Sequence, residues 1–324
     1  MAAILVTGAA GFIGSHVCER LLARGERVVG LDAFTDFYDP ALKERNAAAV
    51  AAAPGARAGW RLERGDLRDR PAVAALLRAE GVDRVVHLGA WAGVRPSIAR
   101  PALYMDVNVR GTVELVEACR DAGGVRGLLF ASSSSVYGAA SRLPFREDEP
   151  ADRPVSPYGA SKRAGELALH AAHHVHGLDV TCLRFFTVYG PRQRPEMAIH
   201  KFARLLERGE PVPVLGDGTS SRDYTYVDDI ADGTLRALDE LGRGVAAFRI
   251  YNLGREQPVT LAALVERLAA ALRKPARLEH LPAEPGDVPH TFADVSLARA
   301  QLGFAPKVEL DEGLARFVRW LRDA

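Results

Sequence analysis

The chain has 324 residues, 48% hydrophobic and 26% charged, with a net charge of +1. Those proportions describe a globular protein with ample material for a buried core, in one large domain or two modest ones. Near-neutrality without a basic run gives a nucleic-acid partner little support, and the longest apolar runs, AILVTG and AAVAAA, are far too short to span a bilayer.

In chain order, strand-like AILVTG is followed by helical FIGSHVCERLLARG, then ERVVGLD, WRLERGD, PAVAALLRAE, VDRVVHLG, NVRGTVELVEACRDAG, RGLLFASSS, the long SPYGASKRAGELALHAAHHVHG and DVTCLRFFTVYG. No charged leader precedes the first run, so no signal peptide is expected. Strict alternation of strand and helix implies a parallel sheet covered on both faces, and the near-continuous Val/Ile/Leu strands agree. An Ala-rich insertion (41–58) and a Pro-rich loop (139–157) interrupt the rhythm. After about residue 187 the rhythm breaks, with Pro and Arg frequent in GPRQRPEMAIHKFARLLERGEPVPVLGDG. Two helical patterns, VDDIADGTLRALDEL and TLAALVERLAAALRK, then flank strand-like AFRIYNLG, and ARLEHLP and a helix around LARFVRWLRDA follow. A smaller second lobe is expected, its chain partly returning to the first. Cys18, Cys119 and Cys182 each fall inside a helix or strand pattern, as reduced, buried thiols of a cytoplasmic protein would.

VTGAAGFIG sets Gly8, Gly11 and Gly14 at a strand-to-helix junction. Glycine there permits a tight turn and lets backbone approach a pyrophosphate seated on the helix N-terminus. The spacing GxxGxxG differs from the commonest dinucleotide fingerprint, but a strand precedes it, a helix follows, and Asp32 ends the second strand. A carboxylate at that place accepts hydrogen bonds from adenosine ribose hydroxyls and repels a 2′-phosphate, which predicts NAD over NADP. Asp66 in GDL ends the third strand, where it either meets the adenine or caps the next helix.

SPYGASK puts Tyr158 one turn before Lys162, just inside a helix starting near Ser156. An aromatic there costs some helix propensity. Together with the glycine spacing and with VHLGA, NVRGT, FASSSSVYG, RFFTVYGPRQRP and RDYTYVDDI, the chain resembles over essentially its whole length the short-chain dehydrogenase/reductase superfamily, in its extended branch of nucleotide-sugar enzymes. The resemblance implies a Rossmann-like doubly wound sheet binding NAD over residues 1–186, rejoined by the chain around 224–253, and a UDP-sugar-binding α/β lobe over 187–324. It also implies Tyr158 as catalytic acid/base, Lys162 on the nicotinamide ribose, and Ser133 as proton shuttle, with Ser134 and Ser135 adjacent. Further cofactor contacts are implied at Phe12, Ile13, Leu67, Leu88 and Asn108. Free tyrosine titrates near about 10, and a nearby ammonium with the positive nicotinamide ring favours the phenolate. One helical turn puts both groups on the same face.

Dehydratases of this family carry Asp-Glu at the strand end, and decarboxylases a Glu before VYG; here Ser134 and Ser135 stand instead. Without a proton-abstracting carboxylate neither elimination nor facile C5 chemistry is expected, and C4 epimerisation through a transient 4-keto sugar remains. Thr187, where galactose epimerases have Asn, and Ala283, Glu284 and Pro285, where they have Arg, depart from that pattern. DFYDPALKERN, AGVRPS, GPRQRPEMA and PGDV resemble UDP-glucuronate 4-epimerases instead. That group implies Thr187 and Arg194 around the uronate carboxylate, which a guanidinium suits; pairing of Arg194 with Glu196 is the competing role. Fixed hydroxyls of Ser133, Ser134, Ser135 and Thr187 would hold the carboxylate away from the geometry in which a β-keto acid loses carbon dioxide. At the nucleotide end the resemblance implies Arg222, Asp287 and backbone around Val214, with Arg95 either on phosphate or in a structural ion pair. Trp91 stands where the family has Gln or a small residue, and HLGA replaces HLAA. His170, His173, His174 and His176 lack an HExxH frame, so a solvated helix face is expected rather than a metal. The alternatives are a UDP-glucose or UDP-N-acetylglucosamine 4-epimerase and, outside enzymes, an NAD-binding regulator, against which the set Ser133, Tyr158 and Lys162 argues. A homodimer through two helices packed as a bundle is the family expectation.

Overall fold

The computed structural model describes residues 2–139, 142–282 and 288–323. Its strands are β1 (Ala3–Thr7), β2 (Arg27–Asp32), β3 (Trp60–Arg64), β4 (Val82–His87), β5 (Gly127–Ser133), β6 (Asp179–Phe185), β7 (Thr187–Tyr189), β8 (Val212–Leu215), β9 (Ser221–Tyr226), β10 (Phe248–Leu253), β11 (Pro258–Thr260) and β12 (Leu278–Leu281). Among the described residues, seven of them form one sheet in the order β10-β6-β5-β4-β1-β2-β3, every pair parallel. The chain runs outward from β1 to β3, then crosses back to β4, so the order reverses between β1 and β4. Ligands of open α/β sheets bind at the carboxyl ends of the strands beside such a reversal.

Two apolar layers sandwich the sheet. Phe12, Val17 and Leu21 of the helix Phe12–Ala23 and Ile230 and Leu235 of the helix Val227–Glu240 fill one. Val73 and Leu77 of the helix Arg70–Ala79, Leu115 and Cys119 of Gly111–Ala122, and Leu169 of Pro157–His176 fill the other. Covering both faces buries every residue of β5 and β6, the polar Asp179, Thr181 and Arg184 of β6 included.

DVTCLRFFTVYG, one strand in the sequence reading, is two. Phe186 spends its N–H on Leu253 O at 3.1 Å, and β7 then leaves the large sheet to pair with β9, which also pairs with β11. A second small sheet joins β8 to β12. The return of the chain to the large sheet is fixed by Asp179 at the head of β6. Its carboxylate accepts from Gly242 N at 2.8 Å, Ala247 N at 3.0 Å and the Arg249 guanidinium at 2.8 Å.

Beneath the strand ends lies a buried ion pair. Glu166 accepts two bonds from Arg184 on β6, each 2.9 Å, and one from Ser132 Oγ on β5 at 2.6 Å. Arg163 adds a fourth at 2.8 Å, and the Arg184 guanidinium lies 4.7 Å from the centroid of Tyr137. Glu166→Ala should lower stability by about 3–5 kcal/mol, because it strands Arg184 with its charge uncompensated. The check is the urea midpoint; a midpoint within experimental scatter of the parent's would show that the pair contributes nothing.

Candidate active site

The turn after β1 is built by close approach. Gly8 has φ +68°, and a Cβ there would come within 2.9 Å of the Gly89 backbone after β4. At Gly14 a Cβ would fall 2.1 Å from Gly8 O. The glycine at 89, where the family usually has alanine, is part of the same crowding, with its N–H on Thr7 Oγ1 at 3.0 Å. Thr7 is in turn 2.8 Å from Nδ1 of His87, a histidine that burial pushes down to about 3, so it stays a neutral hydrogen-bonding partner. The helix Phe12–Ala23 starts at Gly11 without a side-chain cap, which leaves its first-turn amides to an anion.

That turn forms the floor of a cavity of about 360 Å³. The structure brings to its lining Gly8, Gly11, Phe12, Ile13, Gly14, Asp32, Asp66, Leu67, Leu88, Ser133, Ser134, Ser135, Tyr158, Lys162, Thr187 and Arg194. Asp32 is held at the end of β2 by Ala10 N at 3.1 Å and Phe34 N at 2.8 Å. Of the two roles open to Asp66, capping falls to Asp69, whose Oδ1 accepts from Ala72 N at 3.2 Å. Asp66 instead binds Arg68 through its backbone and side chain, both at 2.9 Å, and that contact holds its carboxyl below the usual range.

Other expected contacts are not brought together. Asn108 does not line the cavity; its amide bonds Trp91 N, Trp91 O and Ser161 Oγ at 2.8, 2.9 and 3.0 Å, so it shapes the wall from behind. Arg95, Val214 and Arg222 also lie off the lining. Val214 is buried in β8, and Arg222 donates to Ser221 O at 2.9 Å and Pro289 O at 3.1 Å. Asp287 lies outside the described residues. His170, His174 and His176 are exposed, and among the described residues no His/Cys/Asp/Glu group has metal-holding geometry.

At the far end of the cavity, Ser156 caps the helix Pro157–His176 by accepting from Gly159 N at 3.1 Å. The cap sets Tyr158 and Lys162 against β5. Lys162 donates to Ala131 O at 2.7 Å and lies 6.0 Å from the Tyr158 ring centroid. Burial lowers Lys162 to about 7, against a smaller pull from Glu166. Burial likewise raises Tyr158, opposed by a hydrogen bond to Ser133 and by the Arg194 charge. Ser133 and Arg194 thus both favour the phenolate, while the Lys162 ammonium is turned to a backbone carbonyl. The positive ring of an oxidised nicotinamide would favour the phenolate further. Ser133 also accepts from Ser135 N at 3.1 Å, so the strand-end serines cap their own turn while facing the cavity.

Of the two roles weighed for Arg194, the pairing with Glu196 is present, and the side chain also lines the cavity. Its Nε donates to Glu196 at 2.6 Å, and its guanidinium sits 5.6 Å from the Phe37 centroid on the cavity wall. Among the described residues the acids on the lining are Asp32 and Asp66. They end β2 and β3, at least three strand spacings, roughly 14 Å, from β5. Sequence reasoning missed Phe37, Tyr38 and Lys43 on the lining; Lys43 stands 4.0 Å from Asp32. Phe37 and Tyr38 lie in the loop before the helix Pro40–Ala51 that carries Lys43, and a loop has no period that would mark which side chains turn inward.

A family model described as "NAD dependent epimerase/dehydratase family" matches residues 4–254. UDP-glucuronate 4-epimerase 1 of Arabidopsis thaliana is 42% identical over 98% of this chain and 76% of its own length. A probable UDP-glucuronate 4-epimerase of Rhizobium meliloti is 40% identical over 98% of this chain and 96% of its own. The crystal structure of a Bacillus cereus UDP-glucuronic acid 4-epimerase in complex with UDP-glucuronic acid and NAD superposes with a TM-score of 0.91 at 35% identity, covering 99% of each chain.

The depressed Lys162 has a thermodynamic signature. Its ordinary value is 10.5 and its folded value about 7, so between these the unfolded chain carries a proton that the folded protein has released. Stability must then rise with pH across that window. Relative to Lys162→Met, the parent's urea midpoint should climb between pH 7 and pH 10; parallel curves for the two proteins would mean an ordinary lysine.

Proposed function

The chain belongs to the NAD dependent epimerase/dehydratase family, and from that premise we propose that it inverts C4 of UDP-glucuronate to give UDP-galacturonate through a 4-keto intermediate. What carries the reading is the composition of one cavity: a hydroxyl–phenol–ammonium set, a guanidinium and a threonine at one end and, among the described residues, no lining carboxylate except Asp32 and Asp66 at the other.

NAD supplies the acceptor, and afterwards the donor, of the C4 hydrogen. Gly8, Gly11, Phe12, Ile13 and Gly14 hold its pyrophosphate, Asp32 its adenosine ribose, Asp66 and Leu67 its adenine, and Leu88 and Lys162 its nicotinamide ribose side. Tyr158 takes the 4-hydroxyl proton, directly or through Ser133, and gives it back after the 4-keto sugar has turned over. Among the described residues no lining carboxylate besides Asp32 and Asp66 stands by to remove the C5 proton, so water is retained. Arg194 and Thr187 receive the uronate carboxylate, and the serine hydroxyls fix its plane so that the C5–C6 bond stays out of line with the ketone π system. The cofactor part comprises residues 1–186 with the return around 224–253, and the lobe 187–324 takes the nucleotide. Pairing of Arg194 with Glu196 is the observation favouring a neutral UDP-sugar instead.

The chain is expected to act as a cytoplasmic homodimer. Free, buried thiols suit that compartment. Val113 on the helix Gly111–Ala122 is 43% exposed, and Leu167 and Val175 on Pro157–His176 are 54% and 67% exposed. Val113 and Val175 line a groove with Val116, Ala168 and Ala172, and with Leu167 on the same helix they suit a second copy of the same two helices. Leu167→Arg should shift sedimentation from dimer to monomer; an unchanged sedimentation coefficient would place the contact elsewhere.

Turnover of UDP-glucuronate should need no added NAD and release little NADH, and NADH accumulating with product would mean a net dehydrogenase. Tyr158→Phe should keep NAD but lose about 10²–10⁴-fold in rate. Arg194→Ala should cost about 1.5–3 kcal/mol with UDP-glucuronate, roughly 10- to 150-fold, and much less with UDP-glucose. Equal losses on both sugars would make the carboxylate assignment wrong. Thr187→Ala should let a UDP-pentose appear by decarboxylation, detected by mass.

A further inference from the structure

Phe37 and Trp91 reach the cavity from loops that follow β2 and β4, the two strands on either side of β1. Adjacent strands are about 4.8 Å apart, so these loops leave the sheet roughly 10 Å from one another, with the glycine turn between them. Their rings nevertheless meet edge to face, 5.1 Å between centroids at 65°. The contact therefore crosses the cavity over the Gly8–Gly14 turn.

Both ends are anchored. The backbone of Trp91 is gripped on its N–H and its carbonyl by the buried amide of Asn108, and the Arg100 guanidinium lies 5.1 Å from its ring. The root of the Phe37 loop is tied to the ribose carboxylate itself, through Phe34 N on Asp32 at 2.8 Å. Lys43 adds a bond to Thr35 O at 3.0 Å.

We propose that Phe37 and Trp91 are cofactor-retaining residues: their ring contact is a strap closed over the dinucleotide, which must part before NAD can leave. This rests on the NAD assignment alone and holds whichever sugar is turned over. It also gives the tryptophan at 91 a role that a glutamine or a small residue there could not fill. A reaction that takes the C4 hydrogen away and then restores it needs the same cofactor molecule at both steps. A strap that slows cofactor loss keeps the 4-keto sugar from being stranded, without touching the reacting atoms.

The test is cofactor exchange in the purified holoenzyme. Protein carrying its NAD is mixed with excess NAD deuterated on the nicotinamide, and the bound pool is read by mass over time. Phe37→Ala and Trp91→Ala should each speed exchange, by roughly two- to twelve-fold for the ring pair and more with the lost apolar contact. The double variant should exchange no faster than the faster single, since either change alone opens the strap. Trp91→Phe, which restores an edge-to-face pair, should return exchange to within about twofold of the parent. If Phe37→Ala does not fold, Phe37→Leu, which keeps bulk without a ring, takes its place. Exchange at the parent's rate in both singles, or singles whose effects multiply in the double, would overturn the proposal, as would a Trp91→Phe that exchanges as fast as Trp91→Ala.

Discussion

The seat of one helix on one strand sets everything else at the chemical end of the cavity. Pro157–His176 lies so close to β5 that a Cβ at position 165 would come within 2.7 Å of the Phe130 ring. That approach fixes the helix in rotation as well as height. Tyr158, Lys162 and Glu166 recur at single turns along the face it presents. The first lines the cavity, the second ties to the β5 backbone, and the third ties to β5 and β6 from below. A helix held a little farther out would keep its sequence motif and lose the geometry, because the lysine–carbonyl and serine–glutamate bonds span β5 directly.

The distribution of charge explains why the same fold carries this chemistry rather than a neighbouring one. Carboxylates that face the cavity stand over β2 and β3 and already accept bonds from backbone or arginine. Glu166, on the tyrosine helix itself, is buried and bonded to two arginines and a serine, so it has no capacity left to act as a base. The reacting end keeps hydroxyls and a guanidinium, groups that orient an anion and move a proton but do not pull one off carbon.

Much of the scaffold was legible because its signals are local or periodic. Strand–helix alternation reports burial on both faces, the glycine turn reports a close approach, and the Tyr158–Lys162 spacing reports one helical turn. What escaped depends on partners distant in the chain. Nothing inside DVTCLRFFTVYG marks where β6 ends, since the break follows from Leu253 capturing Phe186 and from β9 capturing Thr187–Tyr189. Asn108 belongs to a recognisable NVRGT stretch, yet only the fold shows its amide committed to the backbone of residue 91. Phe37 and Trp91 come from separate loops, and no spacing rule links them. The carbonyl partner of Lys162 on β5 is likewise invisible from the helix alone.

The return of the chain through β10 also orders events during synthesis. The sheet grows from β1 through β6 as residues 3–185 emerge, and β6 then waits with one edge unpaired until residues 248–253 arrive. During that interval some sixty residues are being made, and the open edge is a template for any extended segment nearby. The Asp179 clamp forms only with the residues leading into β10, so edge closure and clamp formation are one late, long-range step. Nascent chains halted before residue 248 would thus be the aggregation-prone species of this protein, even though nearly every residue of the cofactor cavity has by then been made.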